Sequence, residues 1–378
     1  MSGARLVTGA TGFVGGAITL ELVRETEEPI LCVVRPGRDG ETPAERLRSS
    51  LERACREYDE MDLLGPALDR CSAIAGDLTL PGCGVEVEGL PDVIEFWHAA
   101  ASLAFEDERE EEIAKANVGG TEQALALAGL LGAPVFNYIS TAYVGGARTG
   151  LVGEEVPPPD SPSNNTYERT KLAAEHLVMA SDLPRRRIFR PSIVIGHSST
   201  HAATAFTGLY GFVRNLRLLR ERVGEVLGDM LMHRPIRLIA DGGVPINVIP
   251  IDLVARSAVA ISMSDSEASV FHLTNSRPPR LETGLSVVSD LVGIRPPRYV
   301  TSPDELTSID RQVNERLLFY GSYIRQTLEF DRRNSDAALG AESGAFPMSP
   351  ERIGEFVSWY VEHLEGERRG ERVGEAAP

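Results

Sequence analysis

The chain has 378 residues, enough for two domains or one large two-lobed unit, and is 42% hydrophobic and 25% charged, as globular proteins with a sizeable core are. Lys plus Arg total 38 against 55 Asp plus Glu, a formal charge of −17. That balance argues against a general nucleic-acid binder or a protein held on anionic lipid, since both need a positive field.

The four cysteines form no C-x-x-C and lie among no zinc-ligand histidine pattern. A reduced, cytoplasmic protein with no metal is therefore expected. No N-terminal targeting pattern and no apolar run of spanning length is present, so no membrane partner is expected either.

In chain order, a strand is predicted at 5–8 and a helix at 15–25, joined by Thr8-Gly9-Ala10-Thr11-Gly12-Phe13-Val14-Gly15-Gly16. Glycines at 9, 12 and 15 permit a tight turn, close approach of backbone to a pyrophosphate, and close packing of helix on strand. The helix N-terminus then offers its N–H groups to phosphate. The second strand, 30–34, ends in Arg35, with Arg38 close behind and Arg46 on the next predicted helix, 43–58. An acidic residue there would bind a ribose 2′-hydroxyl, whereas a guanidinium suits a 2′-phosphate, so NADPH is favoured over NADH.

Strands follow at 72–75, 93–98, 135–139 and 187–190, with helices at 113–131 and 167–180. Several of the strands are apolar without alternation, as strands covered on both faces are. The expected fold class is α/β, a Rossmann-type doubly wound parallel sheet. Strand 135–139 runs into Ser140 and Thr141, placing hydroxyls where chemistry occurs in this architecture. Tyr167 and Lys171 stand four apart at a helix start, hence on one face. A nearby ammonium would favour phenolate and lower the tyrosine pKa.

After Gly196 the pattern changes. Residues 200–235 read as helical and rich in Arg, 236–275 hold short strands expected to return to the core sheet, and 281–363 are again mostly helical. The expected division is an NADP-binding, catalytic domain at 1–196, a smaller and mostly helical substrate-binding lobe at 197–364, and a disordered tail at 365–378. Within 209–223, Arg214, Arg217 and Arg220 run at intervals of three. They are either a docking stripe for an acidic carrier protein or the solvated face of an amphipathic helix. His98 reads as structural, and His197 and His201 lack metal-ligand partners at the right spacing.

Taken together, these features resemble the extended short-chain dehydrogenases/reductases. Besides the glycine loop they comprise Gly76-Asp77-Leu78, His98-Ala99-Ala100-Ala101, Asn117-Val118-Gly119-Gly120-Thr121, Ser140-Thr141, Tyr167 with Lys171, and Arg190-Pro191-Ser192-Ile193-Val194, in family order. The resemblance implies that Asp77 and Leu78 meet the adenine and that Ala99, Ala100 and Ala101 line the cofactor. It makes Thr141 the binder of the substrate oxygen, with Ser140 its competitor, and Tyr167 the acid. Lys171 would hold the nicotinamide ribose and tune Tyr167, and Pro191, Ser192 and Ile193 would pack by the carboxamide.

Within that family the chain is similar to the thioester reductase and fatty acyl-CoA reductase branch. The traces are the Arg35 to Arg46 spacing, Gly76-Asp77-Leu78-Thr79, Ser140-Thr141-Ala142-Tyr143-Val144, and Leu328-Glu329-Phe330-Asp331 before Asn334. This branch implies NADPH-dependent reduction of an acyl thioester, bound to a carrier protein or coenzyme A, to an aldehyde and onward to an alcohol. With no carrier domain in the sequence, the reductase would act in trans. The same core supports an alternative: an epimerase, dehydratase or dehydrogenase acting on a nucleotide-sugar or another small alcohol or ketone.

Overall fold

The computed structural model describes residues 3–37, 40–103, 109–316 and 327–375, with side chains as far as 366. Arg38 lies outside the described residues. The strands are β1 Ala4–Thr8, β2 Ile30–Val34, β3 Cys71–Ala75, β4 Val93–His98, β5 Val135–Ile139, β6 Gly150–Val152, β7 Arg185–Pro191, β8 Ile193–Ile195, β9 Arg237–Ile239, β10 Val248–Pro250, β11 Val270–Leu273, β12 Arg298–Val300 and β13 Leu328–Phe330. Seven of them form one sheet in the order β3-β2-β1-β4-β5-β7-β11, every pair parallel. This is the doubly wound arrangement expected from the sequence, with its reversal between β1 and β4. The six predicted strands coincide with β1 to β5 and β7 to within two residues.

The longer helices are α1 Phe13–Glu25, α2 Pro43–Glu57, α3 Gly120–Leu130, α4 Thr166–Ala180, α5 Leu209–Leu227, α6 Ile251–Met263, α7 Leu281–Val292 and α8 Pro350–Glu375. Strand β2, the run ILCVV, is buried at every residue because helices cover both sheet faces. On one face Ile18, Leu22, Leu47, Leu51, Val254 and Ala258 bring α1, α2 and α6 onto the sheet. On the other, Ala124, Leu127, Ala174 and Val178 bring α3 and α4 onto Phe96, Phe136 and Ile188. Each fully buried Leu, Ile or Phe contributes about 1.5–3 kcal/mol.

The helix predicted over 113–131 is interrupted. Residues Lys115–Gly119 form a π-helical turn between two α-helical pieces. Within it Asn117 accepts from the Ser102 N–H at 2.7 Å and donates to Ser102 O and to Thr170 Oγ1 of α4. A π-turn of this kind re-aims one side chain without ending the helix.

Of the strands within 236–275, β11 joins the sheet beside β7, while β9 pairs with β12 and β10 with β8. The second lobe has its own core, built where Phe212, Val213 and Leu216 of α5 meet Leu285 and Val288 of α7 and Phe356 and Val357 of α8. Helix α8 runs to Glu375, through residues whose composition suggested disorder. Their glutamates and arginines are good helix formers, and Arg217 of α5 reaches Glu365 at 3.3 Å. Among the described residues no helix is long and apolar enough to cross a membrane, and no group of three or more His, Cys, Asp and Glu is placed to hold a metal ion.

Two buried histidines tie sheet to surroundings. His98 lies 2.7 Å from Thr8 Oγ1 and 3.1 Å from Thr121 Oγ1, and His272 Nδ1 lies 2.6 Å from Asp331 O. Burial, reinforced by the Lys171 charge, pushes His98 down to about 3; burial, with Arg190, does the same to His272. An unfolded histidine takes up its proton near pH 6.5, so between pH 6.5 and 3 the unfolded chain binds more protons and acid favours it. Each histidine should remove up to about 1.4 kcal/mol of stability per pH unit in that window. Urea unfolding at pH 7 and pH 5 checks this: His272→Gln should have a shallower loss between the two than the native chain, and an equal loss contradicts the assignment.

Candidate active site

The crevice opens where the chain leaves β1 and β4. Gly9 has φ +80°, and Gly12 N–H donates to Gly9 O at 2.8 Å, closing the turn. A Cβ on Gly9 would lie 2.6 Å from Ala100 N, and one on Gly15 would strike the Gly9 carbonyl. Both positions therefore require glycine, for close approach to the neighbouring loop and to the turn itself. No side chain caps α1 at Gly12, so its first N–H groups face the crevice with the positive end of the helix dipole.

At the end of β2, Arg46 donates through Nη1 to the Arg35 carbonyl, fixing α2 against the strand. Thr42 and Glu45 form a capping box that starts α2 and sets where Arg46 points. Across from them, burial would raise the Asp77 carboxyl, but Thr79 N–H at 2.9 Å, the Thr79 hydroxyl and the Arg35 and Lys115 charges outweigh it and hold Asp77 below its ordinary value.

At the end of β5, Thr141 Oγ1 accepts the Tyr143 N–H at 3.3 Å, which leaves its own hydrogen free to donate. Ser140 Oγ is buried with no hydrogen-bond partner among the described residues. Helix α4 begins at Asn165, whose side chain accepts the Glu168 N–H at 2.9 Å, while the buried Glu168 carboxylate accepts from Asn164 and Asn165. This reciprocal cap places Tyr167 in the first turn and Lys171 one turn later, on the same face. A fully buried ion pair, Arg190 with Glu175 at 2.6 Å, fastens α4 to β7. Losing one partner of such a pair costs about 3–5 kcal/mol.

The electrostatics differ from the sequence expectation in one respect. Burial pushes the Tyr167 phenol up and the Glu168 charge adds to it, rather than Lys171 bringing it down. The reason is where the lysine points: Nζ donates to Ile139 O at 2.6 Å and sits 4.2 Å above the Tyr138 ring. Burial lowers Lys171 itself to about 7, against the opposing pull of Glu175.

A single cavity of about 730 Å³ joins these groups. Every described residue named for the cofactor or the chemistry lines it, from Gly9, Thr11, Gly12, Phe13, Val14 and Gly15 at one side to Pro191, Ser192 and Ile193 at the other. Sequence reasoning missed the cavity's far wall, contributed by Phe212, Leu285, Val288, Met348 and Ile353. It also missed what holds Ser192. Ser192 Oγ donates to Asn247 Oδ1 at 2.6 Å, Asn247 Nδ2 to Asn275 O at 2.8 Å, and Asn275 Nδ2 to Phe346 O at 2.7 Å. No local motif announces such a chain, since its members are 28 to 71 residues apart. Of the arginine stripe, Arg214 is exposed and Arg220 lies over Gly293, whereas Arg217 is committed to Glu221 and Glu365.

A sequence profile described as male sterility protein matches residues 7–258. The chain is 27% identical over 286 residues to a linear gramicidin synthase of Brevibacillus parabrevis, covering 72% of this chain and 5% of that one. To fatty acyl-CoA reductase 1 of Gallus gallus it is 28% identical over 223 residues, covering 50% of this chain and 42% of the relative. The chain spans less than two thirds of the length of each of these relatives. In three dimensions it superposes on the terminal R domain from the myxalamid PKS-NRPS biosynthetic pathway with a TM-score of 0.70 at 24% identity, covering 95% of this chain and 91% of that domain. That likeness extends the fold assignment through both lobes.

The amide chain behind Ser192 makes a direct prediction. Asn275→Ala strips the side-chain partners of Val248 O and of Phe346 N–H and O, all buried, and should cost at least about 2 kcal/mol in urea unfolding. A loss under about 0.5 kcal/mol, the size of a surface change, contradicts the role given to it.

Proposed function

The chain belongs to the male sterility protein family, and on that premise we propose that it uses NADPH to reduce an acyl thioester to an aldehyde, acting in trans on an acyl group carried by coenzyme A or a separate carrier protein. The observation that carries this reading is the continuity of the cavity. It runs from a glycine loop and helix terminus suited to pyrophosphate, past Thr141 and Tyr167, to an apolar wall suited to an acyl chain.

The residues present fit a dinucleotide. Gly9 and Gly15 let the loop close against Ala99, Ala100 and its own turn, which brings the uncapped N-terminus of α1 to the cavity. Arg35 and Arg46 supply cationic groups for a 2′-phosphate where an NAD site would have a carboxylate. Asp77 and Leu78 would border the adenine, Ala99, Ala100 and Ala101 the middle of the cofactor, and Pro191, Ser192 and Ile193 its nicotinamide end, with the lysine ammonium near the ribose.

When bound, the reduced nicotinamide supplies a hydride to the carbonyl carbon. The chain's own groups manage the oxygen. Thr141 donates its hydroxyl hydrogen to the developing oxyanion, and Tyr167 transfers its proton to it. A phenol raised by burial stays protonated throughout the neutral range, as an acid must. The phenolate that remains takes its proton back from water, while Lys171, held on Ile139 O, faces the cavity where the ribose would lie. The hemithioacetal then breaks its C–S bond, releasing aldehyde and thiol. Further reduction to the alcohol would use the same groups. A nucleotide-sugar is disfavoured because the far wall offers few polar partners for its hydroxyls.

For carrier-bound substrate, the exposed Arg214 and Arg220 are the docking cations, since Arg217 already has acidic partners. Two variants test the proposal. Tyr167→Phe should lower kcat at least about 100-fold with NADPH affinity nearly unchanged, and undiminished turnover would contradict it. Arg35→Ala should weaken NADPH binding about tenfold or more with little effect on NADH, and equal effects on both would remove the 2′-phosphate assignment.

A further inference from the structure

The far half of the cavity is walled by one stripe of α7, Leu281, Gly284, Leu285 and Val288, at the i, i+3, i+4, i+7 spacing of a single helix face. Opposite stand Phe212, Met348 and Ile353. The six side chains other than the glycine are 1–7% exposed. Arg280 is the only ionisable residue among the described ones lining this half, and its side chain is 70% exposed, so it stands at the mouth.

Gly284 breaks the stripe. It lies inside α7, its N–H donates to Arg280 O at 3.2 Å as a helical residue's should, and its φ is not in the left-handed region. No turn or backbone crossing demands glycine there. A Cβ at this position would meet nothing within 4 Å, because it would project into the cavity. A glycine inside a helix is less favourable than alanine, because it loses more backbone freedom on folding. The helix accepts that cost at the one position of the stripe where a side chain would fill the cavity.

We propose that Gly284 determines the length of acyl chain the site admits, and that the acyl group is aliphatic and uncharged. The proposal rests on the thioester-reductase reading, with the chain lying along Leu281, Leu285 and Val288 and passing over Gly284 toward Ile353. A bulky residue at 284 would close that path while leaving the reacting end, at Thr141 and Tyr167, untouched.

The test compares butanoyl- and dodecanoyl-coenzyme A, with NADPH, on the native chain and on Gly284→Phe, Gly284→Leu and Gly284→Ala. The two bulky variants should lose at least about tenfold in kcat/KM for the dodecanoyl substrate and stay within about twofold for the butanoyl one. Gly284→Ala should raise the Tm. Parallel losses on both substrates, or no loss on either, would overturn the proposal; if Gly284→Phe does not fold, Gly284→Leu decides by the same ratio. Should the native chain reduce neither thioester, the coenzyme A form of the function proposed above fails. The length inference is then decided by the Kd values of non-reducible alkyl thioether analogues of coenzyme A. Selective weakening of the dodecyl analogue by Gly284→Leu supports it, and equal Kd changes overturn it.

Discussion

The structure depends on a close contact between two loops at the centre of the sheet. Strands β1 and β4 are neighbours, yet the chain leaves them toward opposite halves of the molecule. Between them only a glycine at position 9 lets the first loop lie against Ala99 and Ala100. The Thr8–His98 hydrogen bond fastens the strand ends just below. If that contact were pushed apart, α1 would lose its orientation toward the crevice, and the hydroxyls at the end of β5 would lose their relation to it. Close-packed interiors transmit such displacements rather than absorbing them.

The groups at the far end of β5 are held with comparable firmness. Helix α4 carries both Tyr167 and Lys171, and it is capped by Asn165 and Glu168, anchored by the Glu175–Arg190 pair and braced by Asn117 from the π-turn. These contacts put a phenol raised by burial and an amine lowered by burial on one helical face. Strongly perturbed groups of this kind cluster at functional sites. Among the described residues, the part of the second lobe that lines the cavity contributes no such pair. It contributes an apolar wall, and the Ser192–Asn247–Asn275 chain locks that lobe to the loop after β7.

The sequence made legible whatever is encoded locally. The sheet strands from β1 to β5 were visible as apolar runs, the glycine loop by spacing, and the Tyr167/Lys171 pair by its helical interval. Long-range features were not. Asn275 satisfies Phe346, 71 residues away, and Arg217 pairs with Glu365, 148 residues away. No periodicity carries such pairings. The interruption at Asn117 also escaped, because a π-turn is selected by tertiary hydrogen bonds rather than by helix propensity. The Tyr167 shift was misjudged in sign because four-residue spacing fixes the face of a side chain but not its direction. Likewise, no local pattern marks Gly284, because the wall around it is assembled from segments far apart in the chain. The net charge of −17 argues against a nucleic-acid partner, yet it conceals the cations gathered at Arg35 and Arg46.

The central claim is that this cavity brings a thioester carbonyl to a reduced dinucleotide beside Thr141 and Tyr167. Its most direct measurement is the stoichiometry of the native reaction with an acyl-coenzyme A, following NADPH oxidation, free thiol and aldehyde or alcohol together. The account predicts one thiol released for each one or two NADPH consumed, with a matching yield of aldehyde or alcohol. NADPH consumption without thiol release, or no consumption with any acyl-coenzyme A or carrier-bound thioester, would contradict it.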